Sequence, residues 1–281
     1  MKRDIRCELS GILPGELVGL VPRSFDVIGS KGRAVAVIEV PSELEPYGQA
    51  IGEALMRVQR NVQGVLSKGT ERMGEFRVRD MKLLAGDPNT EVLHKESGCV
   101  FKVDPAKAYF SPRESTEREK MTSKVSTGEH VLVMFSGIGP FAICIAKRQP
   151  TAQCVAVELN PEGHAYCLEN IRLNKVGGRV KAVLGDVRVI CPTLGETFDR
   201  VLMPLPKGAY EFLDVAIPMV KPGGVLHFYH WAPRDKPFTE GEHILMAAAR
   251  GFSRSVEVLE RVRVSQYSPS AWKIRIDARI S

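Results

Sequence analysis

Apolar runs of strand length alternate with predicted helices from about residue 125 to the end of the chain. Three of these runs end in glycine or an acidic residue, and each is followed by a predicted helix. They are HVLVMFSGIGPF (130–141), CVAVELNP (154–161) and KAVLGDV (181–187), and further strands are predicted in FDRVLMPLPKGA (198–209), KPGGVLHFYHW (221–231) and, as an antiparallel pair, RVRVSQYSPSAWKIRIDARI (261–280). The alternation predicts an α/β fold with a mostly parallel, doubly wound sheet.

The N-terminal part of the chain carries a second α/β pattern. AVAVIEV (34–40) and EFRVRDMKLLAG (75–86) predict strands, and PSELEPYGQAIGEALMRVQRN (41–61) predicts an amphipathic helix that opens with proline and glutamate. EVLHKESGCVFKVD (91–104) predicts a hairpin with its turn at 96–98.

These patterns predict two domains and a junction. A smaller α/β domain is expected at 1–105, and a larger doubly wound domain at 125–281. The polar, charged segment AKAYFSPRESTEREKMTSK (106–124) joins them, with a helix predicted in its second half. A chain of 281 residues is long enough to bury two such cores.

The ends of the first three strands in the larger domain carry the chemistry of a nucleotide-like cofactor site. The glycine-rich turn lets a ligand approach the backbone, Glu158 can accept from ribose hydroxyls, and Asp186 can meet an adenine. Gly139 and Glu158 lie 19 residues apart, as one βαβ unit requires. Taken singly, Glu158 could be a solvated strand end and Asp186 a helix cap. In this order they predict a site for S-adenosylmethionine (SAM) in preference to NAD.

Composition narrows the location and partners of the protein. No apolar run reaches the length of a membrane span, and the start MKRDIRCELSG lacks a signal-peptide core, so a cytoplasmic location is expected. The six cysteines have no CxxC spacing, which predicts neither a zinc site nor a disulfide framework. HFYH (227–230) is expected to serve packing rather than metal binding, because no third ligand with zinc-like spacing accompanies it.

The net charge of +6 favours a polyanionic partner such as RNA. Residues 57–82 contain seven lysines and arginines against three acidic residues. Charge alone leaves a solvated protein surface as the alternative interpretation of this segment.

Several segments together resemble one known family. They are RSFDVIG (23–29), GEFRVRDMKLLAG (74–86), AYFSPRESTERE (108–119), MFSGIGPF (134–141), LNKV (173–176), DRVLMPLPKGAYEFLD (199–214) and PGGVLHFY (222–229). The chain resembles the archaeal and eukaryal tRNA guanine-37 N1-methyltransferases and their relatives in wyosine synthesis over nearly its whole length. The resemblance implies a Rossmann-like class I SAM-dependent methyltransferase domain behind a small tRNA-binding domain, and a tRNA anticodon stem-loop as partner.

The resemblance also implies catalytic residues. The catalytic carboxylate of the family falls on Glu117, and its catalytic arginine falls on Arg77. Guanine N1 carries a proton at neutral pH, so a carboxylate must take that proton as the nitrogen attacks the methyl group. A guanidinium can then stabilise negative charge on O6. Without the resemblance, Glu117 would be interpreted as a surface helix residue paired with Arg113 or Arg118, and Arg77 as a strand-surface charge.

Binding residues follow from the same correspondence. Expected cofactor contacts are Tyr109, Arg113, Phe135, Ser136, Gly137, Gly139, Glu158, Leu159, Asp186, Val187 and Pro204, and expected substrate contacts are Arg77, Arg79, Pro204, Pro206, Lys207 and Tyr267. For Lys207 a solvated side chain is the alternative, and for Tyr267 a structural turn. No metal is expected.

Three departures from the family pattern bear on function. Val133 stands where the family has an aspartate before Met-Phe, and Pro204 stands where the family usually has asparagine. An additional N-terminal domain with which many members hold the outer corner of tRNA is not expected here, because the shared region starts almost at once. Proline at position 204 is similar to the branch that methylates both N1 of guanosine 37 and C7 of the wyosine precursor imG-14, so a dual function is one hypothesis.

Other hypotheses remain beside methylation of guanosine 37. Wyosine-synthesis relatives transfer the aminocarboxypropyl group of SAM, although they differ around the GIGPF turn and the LPK loop. Val133 and Pro204 also suggest a noncatalytic tRNA-binding relative. Methylation of a protein or small molecule is a further alternative, because the fold serves many acceptors.

Overall fold

The computed structural model describes residues 4–73, 78–205, 207–268 and 270–281. The chain divides into two compact units, Met1–Thr116 and Glu117–Ser281. The division falls inside the segment 106–124 that the sequence assigns to the junction. None of the helices in the described ranges has the length and apolar character needed to cross a bilayer.

The N-terminal unit contains a four-stranded sheet, a hairpin and short helices in its described part. In the sheet, ordered β1-β2-β3-β4, only the β2–β3 pair is parallel. The elements are α1 (Ile5–Leu9), α2 (Gly15–Val18), β1 (Phe25–Ser30), β2 (Arg33–Ile38), a 3-10 helix (Ser42–Tyr47), α3 (Gly48–Val58), β3 (Val62–Met73), β4 (Val78–Gly86), β5 (Val92–Glu96), β6 (Cys99–Val103) and a second 3-10 helix (Pro112–Glu114).

The helix predicted at 41–61 is shorter than expected. Ser42–Tyr47 forms a 3-10 helix that contains Pro46, and the α-helix starts only at Gly48. Proline lacks an N–H and crowds the preceding turn, so the α-helical pattern cannot run through Pro46. From Gly48 onward Ile51 and Leu55 pack into the apolar core of this unit.

The hairpin at 91–104 forms as predicted. β5 pairs with β6 in antiparallel register, with Glu96 opposite Cys99. Ser97 and Gly98 both have positive φ, at 46° and 76°, which is the backbone conformation of a tight two-residue hairpin turn.

In the described part of the C-terminal unit, seven strands form one sheet in the order β12-β13-β11-β10-β7-β8-β9. The strands β7 to β11 pair in parallel, and β13 pairs antiparallel with both β11 and β12. The elements are α4 (Ser115–Lys124, which starts at the end of the first unit), β7 (His130–Val133), α5 (Pro140–Arg148), β8 (Gln153–Glu158), α6 (Pro161–Asn174), β9 (Val180–Leu184), α7 (Val187–Thr193), β10 (Phe198–Met203), a 3-10 helix (Ala209–Phe212), α8 (Leu213–Met219), β11 (Val220–Pro233), α9 (Thr239–Arg250), β12 (Val256–Ser268) and β13 (Ala271–Ile280).

The mostly parallel, doubly wound sheet predicted from the sequence is confirmed. Helices follow β7, β8 and β9 as the alternation predicts, and the last two strands form the predicted antiparallel pair.

Strands β11 and β13 have one apolar and one polar buried face. Leu226 and Phe228 on β11, with Ile274 and Ile276 on β13, belong to the apolar core of this unit. The residues between them are polar yet also buried: His227, Tyr229, Arg275 and Asp277 are each at most 2% exposed. Because successive side chains of a strand point to opposite faces, these four polar residues share the second face.

Candidate active site

Strand register brings the predicted cofactor residues to one edge of the C-terminal sheet. Val133 on β7 lies opposite Leu202 on β10 and Ala156 on β8. Phe135, Glu158 and Pro204 each come two residues after one of these three aligned positions, at the carboxyl ends of the strands. The carboxyl ends of parallel strands are where ligands bind in such sheets.

The glycine-rich turn after β7 has a left-handed backbone. Phe135, Gly137 and Gly139 have φ values of 55°, 56° and 83°. A Cβ at Gly139 would lie 2.5 Å from Sγ of Cys167, so both the backbone conformation and the available space require glycine there. Ser136 lies buried inside the turn, and its N–H donates to the carbonyl of Val157 at 2.9 Å. The turn is therefore fixed against β8.

Glu158 is tied to this turn through its side chain. One oxygen accepts from the N–H of Gly137 at 2.6 Å and the other accepts from the N–H of Asn160 at 2.8 Å. Burial raises the pKa of Glu158, and the backbone hydrogen bonds oppose that rise only in part. The carboxylate is a positioned acceptor with lone pairs left for ribose hydroxyls, not the solvated strand end of the alternative interpretation.

Asp186 caps the helix that follows β9. Its side chain accepts from the N–H of Arg188 at 2.8 Å at the start of α7, as the capping alternative expects. The cap uses one carboxylate oxygen, so the other remains available for an adenine amine. Val187 is buried beside it, and Leu159 is half-buried after Glu158. The predicted cofactor residues of β7, β8 and β9 thus lie in adjacent loops.

An aromatic contact, absent from the predicted site, borders the glycine-rich turn. The rings of Phe135 and Phe212 meet edge to face with centroids 4.9 Å apart, and the guanidinium of Arg188 lies 4.7 Å from the Phe212 centroid. Arg188 in turn pairs with Asp214 at 2.8 Å. Sequence spacing gave no signal for Phe212, because its position depends on how the 3-10 helix Ala209–Phe212 folds back.

Glu117 is a buried residue of α4. It is 4% exposed, and its Oε1 accepts from the hydroxyl of Tyr229 at 2.6 Å and from Nη1 of Arg275. The alternative of a surface helix residue paired with Arg113 or Arg118 is wrong. The catalytic role that the family resemblance implies for Glu117 stays a prediction.

The two partners of Glu117 belong to a larger charged cluster on the polar face of β11 and β13. Arg275 donates from Nε to Asp277 at 2.6 Å and from Nη2 at 3.2 Å. Nδ1 of His227 lies 2.6 Å from Asp277, and Nη1 of Arg200 lies 2.8 Å from Nε2 of His227. Because the guanidinium only donates, Nε2 of His227 accepts and the ring proton lies on Nδ1, facing Asp277.

Burial and charge set the ionisation of this cluster. Burial lowers the pKa of His227, and the charge and hydrogen bond of Asp277 oppose the shift only in part. Although burial favours the neutral acid, the hydrogen bond from His227, followed by the charge of Arg275, holds the pKa of Asp277 well below its ordinary value. Burial raises the pKa of Tyr229, and the Glu117 charge adds to the effect. Tyr229 therefore stays a donor at any working pH.

Tyr109 and Arg113 lie in the N-terminal unit. The hydroxyl of Tyr109 donates to Glu114 at 3.4 Å, and the guanidinium of Arg113 pairs with Asp26. Their predicted contacts with SAM stay predictions.

The predicted substrate residues are only partly described. Arg77 and Pro206 lie outside the described residues, Arg79 lies on β4, and Tyr267 lies on β12. Pro204 follows β10 as predicted, and Lys207 comes three residues later. Val133 is fully buried in β7.

No group of three or more His, Cys, Asp or Glu side chains with metal-binding geometry occurs among the described residues. In the HFYH segment, His227 is engaged by Asp277 and Arg200, and His230 stacks on Phe228 with centroids 5.6 Å apart.

Two family models match the chain and together span most of it. The TRM5/TYW2 methyltransferase domain matches residues 92–259, and the TYW2 N-terminal domain matches residues 5–90.

Two similar proteins are named for different reactions, one for methyl transfer and one for aminocarboxypropyl transfer. The chain is 42% identical over 272 residues to the tRNA (guanine(37)-N(1))-methyltransferase Trm5b of Pyrococcus abyssi, covering 96% of this chain and 78% of the relative. It is 34% identical over 281 residues to a tRNA(Phe) (4-demethylwyosine(37)-C(7)) aminocarboxypropyltransferase of Pyrococcus horikoshii, covering 100% and 97%.

Solved structures of relatives with both names superpose on this chain. A complex of aTrm5 with tRNALeu superposes with a TM-score of 0.85 at 33% identity, covering 100% of this chain and 79% of that one. P. horikoshii TYW2 in complex with MeSAdo superposes with a TM-score of 0.79 at 32% identity, covering 98% and 97%. The glycine-rich turn, Glu158 and Asp186 fit the SAM that this family uses, and the chain belongs to the TRM5/TYW2 family of SAM-dependent methyltransferases.

Proposed function

We propose that this protein methylates N1 of guanosine 37 in tRNA, with Glu117 as the general base. The observation that carries the proposal is the buried Glu117 carboxylate, held by Tyr229 and Arg275 in the unit that also contains the SAM-site residues. The 42% identity to Trm5b over nearly the whole chain supports guanosine 37 as the acceptor.

Each of the described residues has a role in the proposed methyl transfer. SAM supplies an electrophilic methyl group on a sulfonium when it is bound. Glu158 and Asp186 orient the nucleoside part of the cofactor, and the glycine-rich turn admits it close to the backbone. Glu117 would take the proton from N1 as that nitrogen accepts the methyl group. Arg77, outside the described residues, would stabilise charge on O6.

The partner surface follows from the same proposal. We assign tRNA recognition around position 37 to the N-terminal domain at 1–105, with its basic segment at 57–82, and to Lys207 and Tyr267. Phosphate contacts by Lys207 and by the cations of the basic segment would make tRNA affinity fall steeply with added salt. Pro204 supports a second acceptor, C7 of imG-14, because proline at this position is similar to the family branch that methylates both acceptors.

Aminocarboxypropyl transfer is the second candidate. It is favoured by the match of residues 5–90 to the TYW2 N-terminal domain and by the full-length similarity to the P. horikoshii aminocarboxypropyltransferase. The two reactions use the same cofactor and differ in which carbon–sulfur bond of SAM breaks. The identity of the transferred group therefore separates them.

Mass analysis of position 37 tests the proposal. The protein is incubated with SAM and with tRNA that carries either unmodified guanosine or imG-14, and the nucleosides are then identified by mass. One methyl group on unmodified guanosine is the expected result. An aminocarboxypropyl group on the tricycle, with no methyl group on guanosine, would replace the proposal by the second candidate.

A variant pair tests the assigned base. We expect Glu117→Gln to lose at least about a hundredfold in the rate of methyl transfer, because a general base contributes on the order of 10²–10⁴. Glu119→Gln is the matched control, since Glu119 is an exposed residue of the same helix. SAM binding that persists in Glu117→Gln would show that the site still forms. Equal rates in the two variants would remove Glu117 from the mechanism.

A further inference from the structure

We propose that Tyr229 and Arg275 are positioning residues that hold the Glu117 carboxylate so that Oε2 faces the reacting base. This inference rests on the proposed function, in which Glu117 takes the proton from N1. Both donors bond to Oε1, and none of the described groups donates a hydrogen bond to Oε2. One oxygen is thus used for orientation, and the other remains an acceptor.

Strand register places the two donors side by side. Tyr229 on β11 lies directly opposite Arg275 on β13, and His227 lies opposite Asp277. Directly opposed residues of an antiparallel pair share a face, so the phenol and the guanidinium point together toward α4. Tyr229 also lies at the carboxyl edge of the sheet, because His227 is level with Leu202 and Val133.

Tyr229 connects Glu117 to the cofactor turn. Its ring packs 6.3 Å from the ring of Phe141, which follows the glycine-rich turn on α5, and the Nζ of Lys273 lies 5.1 Å from its centroid. Tyr229 is fully buried. A phenol fixed in this way gives the carboxylate a defined direction relative to the turn.

Arg275 is held by its own partner. Nε and Nη2 form a two-pronged contact with Asp277, which leaves Nη1 for Glu117. Asp277 is held in turn by His227 and, at 3.3 Å, by Lys124. The planar fork of arginine makes these contacts simultaneously, which a lysine ammonium cannot reproduce. The guanidinium is therefore fixed in orientation, not only in position.

Tyr229→Phe tests the inference with the smallest change. Removing the hydroxyl leaves the ring packing in place, so the variant should fold and bind SAM with unchanged affinity. We expect kcat for methyl transfer to fall on the order of 10–100-fold with KM unchanged, because small misplacements of a reacting group cost about this much. Tyr166→Phe, the same change at another buried tyrosine of the C-terminal unit, on α6, is the matched control.

Comparing kcat with SAM affinity separates positioning from packing. Loss of one donor leaves the Glu117 carboxylate free to turn, so Tyr229→Phe should lower kcat while SAM affinity and KM stay unchanged. Arg275→Lys, which keeps the charge but not the fork, should lower kcat in the same way. A variant that loses rate in proportion to SAM affinity would assign Tyr229 to packing and overturn the inference.

Failure of the proposed function can be distinguished from failure of the positioning role. If the wild-type protein transfers no methyl group to guanosine 37, the proposed function fails before any variant is compared. If the wild type is active and both Tyr229→Phe and Arg275→Lys keep its kcat, only the positioning role is wrong.

Discussion

Glu158 shows how a single residue joins the cofactor turn to the sheet. Its two oxygens accept from the N–H groups of Gly137 and Asn160, so one carboxylate fixes the loops that follow both β7 and β8. The side chain is therefore structural and ligand-binding at the same time. Its raised pKa adds a pH dependence that an exposed glutamate would not show at the same pH.

We expect SAM affinity to weaken on acidification at a higher pH than an ordinary glutamate would cause. Burial raises the pKa of Glu158, so its carboxyl gains a proton earlier as pH falls and loses an acceptor for ribose. Glu158→Gln should bind SAM about tenfold or more weakly at pH 8, since a hydrogen bond to a charged group contributes about 1.5–3 kcal/mol. Calorimetric titration at pH 8 and 5.5 measures both effects.

Glu196→Gln is the control for this prediction. Glu196 is an exposed residue shortly before β10, at the amino edge of the sheet, and pairs with His130 at 3.7 Å. It should leave SAM affinity and its pH dependence unchanged. A pH dependence that persists undiminished in Glu158→Gln would assign it to another group.

At the scale of elements, local patterns were sufficient to predict the strands of the C-terminal sheet and the order of the chemical groups at their ends, whereas β1 and β3 of the N-terminal unit were not predicted. The glycine-rich turn, Glu158 and Asp186 are each local to one strand end, so the sequence was sufficient to predict their positions at the ends of β7, β8 and β9. Pairings between distant strands were not accessible in this way. The contact of Tyr229 with Arg275 depends on the register of β11 against β13, and the only local hint was the alternation of charged and apolar residues in KIRID.

The start of α3 shows a second limit of local patterns. The apolar spacing over 41–61 fits a helix throughout, but Pro46 restricts the first turn to 3-10 geometry. The spacing of apolar side chains carries no information about backbone N–H groups. Here the N–H that Pro46 lacks decides where the α-helix begins.

The turn before α5 should not tolerate a side chain at Gly139. Gly139→Ala would place a Cβ 2.5 Å from Sγ of Cys167 at a φ of +83°. We expect SAM affinity to fall more than about tenfold and the free energy of unfolding to drop by about 1–3 kcal/mol, as for a residue held in strained backbone. Isothermal titration and urea unfolding measure the two effects.

A second variant separates the two causes of this loss. Gly139→Ala combined with Cys167→Ala removes the collision but keeps the unfavourable φ, so only part of the loss should be recovered. Gly178→Ala is the control, because a Cβ there meets nothing within 4 Å. SAM affinity in Gly139→Ala equal to that of the control would contradict the assigned role of the turn.

At the scale of the whole molecule, the two units differ in what fills their interiors. The N-terminal unit has an apolar core around Ile51 and Leu55, whereas the C-terminal unit adds a buried charged cluster to its apolar core. Buried ion pairs contribute little net stability, and removing one partner is costly. Stability of the C-terminal unit should therefore depend on pH through this cluster.

We expect the free energy of unfolding of the C-terminal unit to fall as pH drops below about 6.5. Burial lowers the pKa of His227, so below pH 6.5 the unfolded chain takes up a proton that the folded chain refuses. One such group changes stability by at most about 1.4 kcal/mol per pH unit. Asp277, with its lowered pKa, adds a loss only at much lower pH, as pH falls through its folded value.

Tryptophan fluorescence isolates the unit in which this occurs. Both tryptophans of the chain, Trp231 and Trp272, lie in the C-terminal unit, on β11 and β13. Urea unfolding followed by this signal between pH 8 and 5 gives the slope of the free energy of unfolding against pH.

The variant His227→Gln separates the contribution of His227 from those of other histidines. Burial also lowers the pKa of His230 and His164, so their contributions to the slope have the same sign. The difference between wild type and His227→Gln assigns the slope, because glutamine can accept from Arg200 and donate to Asp277 without titrating. Parallel slopes in the two proteins would show that His227 ionises equally in the folded and unfolded states.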